Sequence, residues 1–225
     1  KGINILRRNA HFKRFPAAAI EAHLVLANVV KHPDITNADV AGSIRRHNEV
    51  VADMDIVAEC SADPVDVAAS FARSPGVSES KTYDNPGSVH IRFVDGTHLD
   101  MHCVTKADYP VALWRATGNT AHVEEMAVLA RARGFEITGN SLVEKGGKRV
   151  SLKDEDAFFT ALDLEPIPPD MREGLGEIEA AARRELPNLV TDDDLRGVLH
   201  CHPEKSDGPG TNAAMAAAGR GPGGA

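Results

Sequence analysis

The sequence contains few cysteines, few aromatic residues and no long hydrophobic run, and each absence excludes a class of protein. Three cysteines stand far apart in 225 residues, without Cys-x-x-Cys spacing. A disulfide framework is therefore excluded, and a reducing, cytoplasmic setting is expected. No run of about eighteen or more apolar residues occurs, so no membrane span is expected. The chain begins at Lys1 without methionine or the apolar centre of a signal peptide, as a fragment of a longer protein would.

The net charge is negative but unevenly distributed. A formal charge of −8 argues mildly against nucleic acid as a partner. Lysine and arginine outnumber acidic residues in the first part of the chain, whereas residues 153–194 are strongly acidic. The average charge therefore does not exclude phosphate binding by the N-terminal part.

The spacing of apolar residues predicts an α+β protein. Asp95-Gly96 between two strand-like runs indicates a hairpin. The Gly- and Ala-rich tail from Gly208 is expected to be disordered. Helices are predicted at 15–30, 64–72, 121–133 and 157–162, and strands at 35–41, 53–58, 88–93 and 97–104.

Three aspartates are the strongest candidates for a functional site. Side chains at positions i and i+2 of a strand point to the same face, so Asp53 and Asp55 project together. Asp100 lies in the middle of a later strand. If the two strands are neighbours, three carboxylates converge, which suits hard divalent cations such as Mg²⁺ or Mn²⁺. Two such ions about 3.5–4 Å apart can hold the attacking and leaving oxygens of a phosphoryl displacement.

The segment upstream of these aspartates suits a phosphate. Gly42 and Ser43 are small enough for a phosphate to approach the backbone, and Arg45 or Arg46 can neutralise its charge. An Asp-x-Asp pair alone is usually a solvated strand face. Its combination with Gly-Ser-x-Arg-Arg and a later strand aspartate is what a nucleotidyl transfer site needs.

These stretches resemble family X DNA polymerases, which are members of the nucleotidyltransferase superfamily. Residues 42–55 together with Asp100 look like the family's palm signature, and residues 116–122 are similar to its thumb motif, centred on Thr-Gly-Ser. Residues 167–179 are similar to the connector of the bacterial members. Residues 194–208 look like the start of their polymerase-and-histidinol-phosphatase (PHP) domain. The resemblance covers nearly the whole chain, in the family's order.

The resemblance implies a nucleotidyltransferase palm, a mixed sheet with flanking helices, followed by a small α/β thumb subdomain and a partial C-terminal extension. The expected divisions are the end of a helix-hairpin-helix region at 1–12, the palm at 13–108, the thumb at 109–165, a linker at 166–193, and a truncated PHP start with a disordered tail at 194–225.

The implied activity is that of a DNA-directed DNA polymerase that fills gaps in DNA, as in base excision repair. It would transfer a nucleotide from a dNTP to a primer 3′-hydroxyl. Asp53, Asp55 and Asp100 would be catalytic and would hold two Mg²⁺ or Mn²⁺ ions. The expected partners are gapped or primed DNA and dNTPs, without a membrane, and the chain is expected to be a monomer. Substrate contacts are implied for Gly42, Ser43, Arg46, Gly118, Asn119 and, in a looser alignment, Arg14, while Arg45 is expected to be structural.

The sequence departs from the family pattern at two places. Arg115-Ala116 precedes Thr-Gly where the family has aromatic residues, so the sugar pocket differs. His200, His202 and Asp207 match the first ligands of the PHP metal site. However, Pro203 replaces the usual threonine and the family's remaining ligands lie further downstream. An inactive remnant without Zn²⁺ or Mn²⁺ is therefore expected there.

Two alternative functions remain open from the sequence. A template-independent nucleotidyltransferase shares the basic signature, and the acidic net charge suits it better. An inactive DNA-binding fragment is suggested by the altered nucleotide pocket and by the missing DNA-gripping and C-terminal parts.

Overall fold

The computed structural model describes residues 12–196, 202–208 and 210–219, which contain both strands and helices. In chain order the strands are β1 (Lys13–Arg14), β2 (Ile35–Val40), β3 (Val50–Val51), β4 (Met54–Cys60), β5 (Val77–Thr82), β6 (Ser88–Phe93), β7 (His98–Thr105), β8 (Phe135–Thr138) and β9 (Ser141–Glu144). The α-helices are α1 (Phe15–Val29), α2 (Gly42–Arg45), α3 (Pro64–Ala72), α4 (Tyr109–Thr117), α5 (Thr120–Ala132), α6 (Glu155–Ala161), α7 (Glu177–Arg183) and α8 (Asn212–Gly219). Short 3₁₀ helices occupy Pro169–Met171 and Asp192–Asp194.

A mixed five-stranded sheet forms the centre of the sheet region, residues 13–105. Its strand order is β2-β4-β7-β6-β5. β4 and β7 pair in parallel, and the other neighbours are antiparallel. A parallel pair requires a crossover connection, which α3 and the β5–β6 hairpin provide. The α+β architecture with a mixed sheet agrees with the sequence prediction.

Alternation along β4 separates the buried core from the polar face. Met54, Ile56 and Ala58 are buried in the core that contains α1 and α3. Asp55 and Val57 point to the opposite face, because successive strand residues alternate. On that face α4 covers Val57, which packs in a separate small cluster.

The helix termini explain why several helices match their predictions. Proline in the first turn starts α1 and α3, where its missing N–H is not needed. Asp63 caps α3 by accepting a hydrogen bond from the Val65 N–H at 2.9 Å. Asp154 caps α6 in the same way, through the Ala157 N–H at 2.8 Å.

A second core lies in the hairpin region, residues 109–186, which contains α4 to α7 and the β8–β9 hairpin. Trp114 of α4 is fully buried there, with its ring centroid 4.5 Å from that of Phe158. The sequence prediction missed α4, because Tyr109-Pro110 was treated as a break. Pro110 instead occupies the first turn of the helix, where proline is tolerated.

The expected linker at 166–193 is wrong for its first half. Ile167, Ile178 and Ala181 are buried in the core of the hairpin region. The compact unit that contains both regions extends to Leu186. The prolines at 166–169 suggested a linker. Pro166 and Pro168 instead lead into the 3₁₀ helix, which begins at Pro169. Apolar residues before and after this helix pack in the core.

Residues 187–225 form a separate unit, in which 187–196, 202–208 and 210–219 are described. An isolated bridge joins Pro203 to Gly210. The prediction of a disordered tail is wrong for Asn212–Gly219, which form α8, because alanine is the strongest helix former. The helix-hairpin-helix end expected at 1–12 lies outside the described residues except for Phe12. Among the described helices none is both long and apolar enough to cross a membrane.

An arginine–carboxylate network joins the sheet region to the hairpin region. Both oxygens of Glu155 accept hydrogen bonds from Arg45 at 2.9 Å, and Oε1 also accepts one from Arg172 at 2.6 Å. Arg172 further donates to the Ile167 carbonyl and lies over the Phe159 ring, 5.0 Å from its centroid. The two arginines hold the pKa of Glu155 below its usual value, although its burial acts in the opposite direction.

We expect Arg172→Met to destabilise the protein strongly. The Arg172 side chain is only 2% exposed, and its loss leaves a mostly buried glutamate with one cation instead of two. Removing one member of a buried ion pair costs about 3 kcal/mol. The matched control is Arg183→Ala, which breaks an ion pair with Glu185 whose side chains are both 61% exposed. Urea unfolding of both variants measures the difference, and equal stabilities would contradict this account of the network.

Candidate active site

Asp55 and Asp100 are direct neighbours on the polar face of the sheet. The parallel register of β4 and β7 pairs Asp55 with Asp100, so the predicted convergence of these two residues is confirmed. Asp53 lies one residue before β4 rather than inside it, because the strand begins at Met54. Within residues 12–196, 202–208 and 210–219, no group of three or more His, Cys, Asp and Glu side chains is arranged to hold a metal ion.

Burial and neighbouring carboxylates raise the pKa of Asp55 and of Asp53. Burial raises the pKa of Asp55 most, and the charges of Asp53 and Asp100 add to it, bringing the value to about 8. The Arg46 guanidinium acts in the opposite direction. Burial and the charge of Asp100 also raise the pKa of Asp53. A site that favours protonated carboxyls when empty will gain from a bound cation, because a cation favours the ionised form.

Asp100 accepts hydrogen bonds from two side chains that the sequence prediction missed. The Tyr83 hydroxyl lies 2.6 Å from Oδ1 of Asp100, and Nδ1 of His90 lies 2.8 Å from the same oxygen. His98, which flanks Asp100, lies with its Nδ1 3.2 Å from Nε2 of His90. Burial and the bond to Asp100 raise the pKa of Tyr83, so that it remains a hydrogen-bond donor. These contacts restrict how the Asp100 carboxylate can turn.

The Gly42-Ser43 turn packs directly against Asp55. Gly42 has φ +61°, and a Cβ atom there would lie 1.9 Å from Oδ2 of Asp55. The Ala41 N–H donates to the Asp55 carbonyl at 2.8 Å, which fixes the turn to β4. Ser43 is half-buried and lies in the one-turn helix α2, which begins at Gly42. Glycine is therefore required at position 42 for the turn to approach the carboxylate.

The two adjacent arginines, Arg45 and Arg46, bind different carboxylates. Arg45 binds Glu155 and the Thr117 hydroxyl, which agrees with its expected structural role. Arg46 donates through Nε to Glu173 at 2.6 Å and through Nη1 to the Thr117 carbonyl at 2.7 Å. Arg46 is thus placed beside Asp55 on one side and beside the end of α4 on the other.

The Thr117-Gly118-Asn119 motif connects α4 to α5. Gly118 ends α4, and a Cβ atom there would lie 2.7 Å from the His122 ring. Asn119 caps α5 by accepting a hydrogen bond from the His122 N–H at 2.8 Å. The Asn119 side-chain nitrogen donates to the Glu173 carboxylate, also at 2.8 Å. The motif therefore lies beside Arg46. Both the oxygen and the nitrogen of the Asn119 amide already form hydrogen bonds within the protein.

A buried polar chain holds α5 against α7. Nε1 of Trp114 donates to Nε2 of His122 at 3.0 Å, so the His122 proton is on Nδ1, which lies 2.7 Å from Glu177 Oε1. Burial lowers the pKa of His122 and therefore favours the neutral ring. Glu177 also accepts from the backbone N–H groups of Gly174 and Leu175.

The remaining predicted residues are not brought to this site. Arg14 is exposed on the two-residue strand β1, and no contact among the described residues links it to the carboxylates. In the C-terminal unit, Nδ1 of His202 lies 2.5 Å from Oδ1 of Asp207. His200 lies outside the described residues, so the metal site suggested there remains a prediction.

The comparison with protein families matches the hairpin region. Residues 112–173 match the family model of the DNA polymerase beta thumb. The matched segment includes Thr117-Gly118-Asn119, Glu155 and Glu173. The match supports a family X polymerase-like region in this part of the chain. No curated protein matches the chain.

We expect the stability of the metal-free protein to fall as the pH rises, through Asp55. Its pKa is raised from an ordinary value of 3.8 to about 8 in the folded state, so the folded chain binds this proton more tightly than the unfolded chain. The resulting stability is complete below the unfolded value and is lost as the pH rises toward 8. The free energy of unfolding should decline by up to about 1.4 kcal/mol per pH unit in this window.

Urea unfolding in EDTA between about pH 5 and pH 8 measures this slope. Asp55→Asn cannot ionise and should lose the decline, whereas Asp66→Asn, at an exposed position of α3, should keep it. A parent-like slope in Asp55→Asn would show that Asp55 does not hold this proton.

Proposed function

We propose that the chain is a DNA-directed DNA polymerase of family X, which transfers a nucleotide from a dNTP to a primer 3′-hydroxyl in gapped DNA. The observation that carries the proposal is the parallel register that pairs Asp55 with Asp100 beside the Gly42-Ser43 turn. The thumb match at residues 112–173 supports it from an independent part of the chain. In this proposal the sheet region is the palm of a nucleotidyltransferase.

The three carboxylates fit Mg²⁺ or Mn²⁺ by their chemistry. Asp53, Asp55 and Asp100 provide hard oxygen donors, and the raised pKa of Asp53 and Asp55 reflects burial first and then the negative charge of neighbouring carboxylates. Because no three of these side chains are grouped around an ion position in the described residues, binding two ions requires Asp53 and Asp55 to turn toward Asp100, which Tyr83 and His90 hold. When bound, the ions would stabilise the charge that develops on the phosphate and activate the primer hydroxyl.

The protein's own groups position the reactants. Tyr83 and His90 hold one oxygen of Asp100, which leaves the other oxygen as the one that would accept the proton of the primer hydroxyl. Arg46 provides a planar guanidinium for the β- and γ-phosphates, together with the backbone and hydroxyl of Ser43. By the resemblance Gly118 would lie near the sugar, while in the structure the absence of a side chain there lets His122 pack against the turn. Such positioning supplies much of the rate of a phosphoryl transfer.

We expect the parent chain to extend a primer across a one-nucleotide gap with Mg²⁺ or Mn²⁺, and Asp100→Asn to lose this activity. Removal of one well-placed electrostatic group costs about 10²- to 10³-fold in kcat. The control is Asp66→Asn, which carries the same change of charge at an exposed position on α3, the helix that packs on the core face of the sheet.

Circular dichroism and the melting temperature establish that each variant is folded. A folded Asp100→Asn that extends as fast as the parent contradicts the proposed site. Incorporation that ignores the template base, with Asp100 still required, would instead identify a template-independent nucleotidyltransferase.

A further inference from the structure

One carboxylate occupies the donors that are proposed to receive a triphosphate. Nε of Arg46 donates to Glu173 Oε1 at 2.6 Å, and Nδ2 of Asn119 donates to Oε2 at 2.8 Å. Asn119 Nδ2 also donates to the Glu173 main-chain carbonyl at 2.8 Å. With its amide nitrogen turned toward Glu173, Asn48 adds a third side-chain donor, 3.0 Å from Oε1. Glu173 thus lies in a cradle of one guanidinium and two amides.

This cradle has the chemistry of a phosphate subsite. Guanidinium and amide N–H groups bind carboxylate and phosphate oxygens in the same way, through charge-assisted hydrogen bonds. A phosphate oxygen that takes the Nε donor of Arg46 must therefore remove the Glu173 carboxylate from it. The two anions compete for the same donors, and their like charges also repel.

The backbone on both sides of Glu173 is anchored, so the competition involves mainly its side chain. Arg172 is held by the Ile167 carbonyl and by Glu155. Gly174 donates its N–H to Glu177 at 2.9 Å, and a Cβ atom on Gly174 would lie 2.6 Å from that of Ala121. The Glu173 side chain is 28% exposed and therefore borders solvent.

We propose that Glu173 is an internal competitor that occupies the phosphate subsite, and that the incoming anion binds by displacing its carboxylate. The identity of that anion as a nucleoside triphosphate rests on the proposed function. The residue lowers the apparent affinity for nucleotide and keeps Arg46 and Asn119 in place while the subsite holds no substrate. Glu173 is therefore a positioning residue whose removal should strengthen binding rather than weaken it.

The test measures the binding of inorganic tripolyphosphate to the full chain by calorimetry, in metal-free buffer and without DNA. Glu173→Gln keeps the shape of the side chain but removes the charge, and we expect its Kd to be about tenfold lower than that of the parent. Such a gain corresponds to a cradle that is open in about one parent molecule in ten. Glu173→Asp keeps the charge but shortens the reach to Arg46, and we expect tighter binding there as well.

Glu179→Gln is the matched control, because it removes one negative charge from an exposed position on α7. Its Kd should stay close to that of the parent. A parent-like Kd in both Glu173 variants overturns the inference, as does an equal gain in Glu179→Gln or the absence of binding to every chain. If Glu173→Gln does not fold, as shown by its melting curve, Glu173→Asp alone decides the test.

Primer extension by the same proteins separates this inference from the proposed function. Tighter tripolyphosphate binding in the Glu173 variants, together with no extension by any chain, supports the competitor and contradicts the polymerase. Extension by the parent, with unchanged anion affinity in the Glu173 variants, supports the polymerase and overturns the competitor.

Discussion

The parallel pairing of β4 with β7 is the constraint on which the candidate site depends. Asp55 and Asp100 are held opposite each other by backbone hydrogen bonds between two central strands, although their charges repel. The core residues on the other face of the same strands, such as Ile56 and Met101, prevent a change of register, because a shift by one residue would place an aspartate in the apolar core. The pairing of the strands therefore keeps two carboxylates together that repel each other.

The neighbouring turn connects this pair to the rest of the molecule. α2 packs against Asp55 through Gly42, and it ends in two arginines that bind different carboxylates of the hairpin region. Arg45 reaches Glu155, which Arg172 also binds, so this partner is buried and structural. Arg46 reaches Glu173, which remains partly exposed. Adjacent residues of similar chemistry thus have different roles because their partners differ in burial.

The sequence was sufficient to predict several local elements and the pairing of Asp55 with Asp100, but not the contacts that depend on exact register. An Asp95-Gly96 loop of two residues would place Ile91 opposite Asp100. The loop instead has three residues, with Gly96 at φ +86°, and His90 lies opposite Asp100. A loop that is longer by one residue reverses which residues of the paired strand point to each face of the sheet. The contact of His90 with Asp100 could therefore not be predicted from composition. Tyr83 directly follows β5, a strand that was not predicted.

The contacts of Glu173 could not be predicted from the sequence for a different reason. Prolines 166, 168 and 169 suggested a linker, and a linker glutamate has no expected partner. Only the packing of Ile167 and Ile178 into the hairpin region brings residues 170–173 back onto α2, more than 120 positions earlier in the chain. Contacts of this separation are determined by tertiary packing, which local sequence patterns do not report.

Binding of Mn²⁺ followed by electron paramagnetic resonance tests the central claim most directly, because free and bound Mn²⁺ give different signals and no turnover is needed. The account predicts that the parent chain depletes the free Mn²⁺ signal, and that Asp55→Asn combined with Asp100→Asn, if folded, does not. Equal depletion by both chains, or none by the parent, would contradict the claim that these opposed aspartates form a cation site.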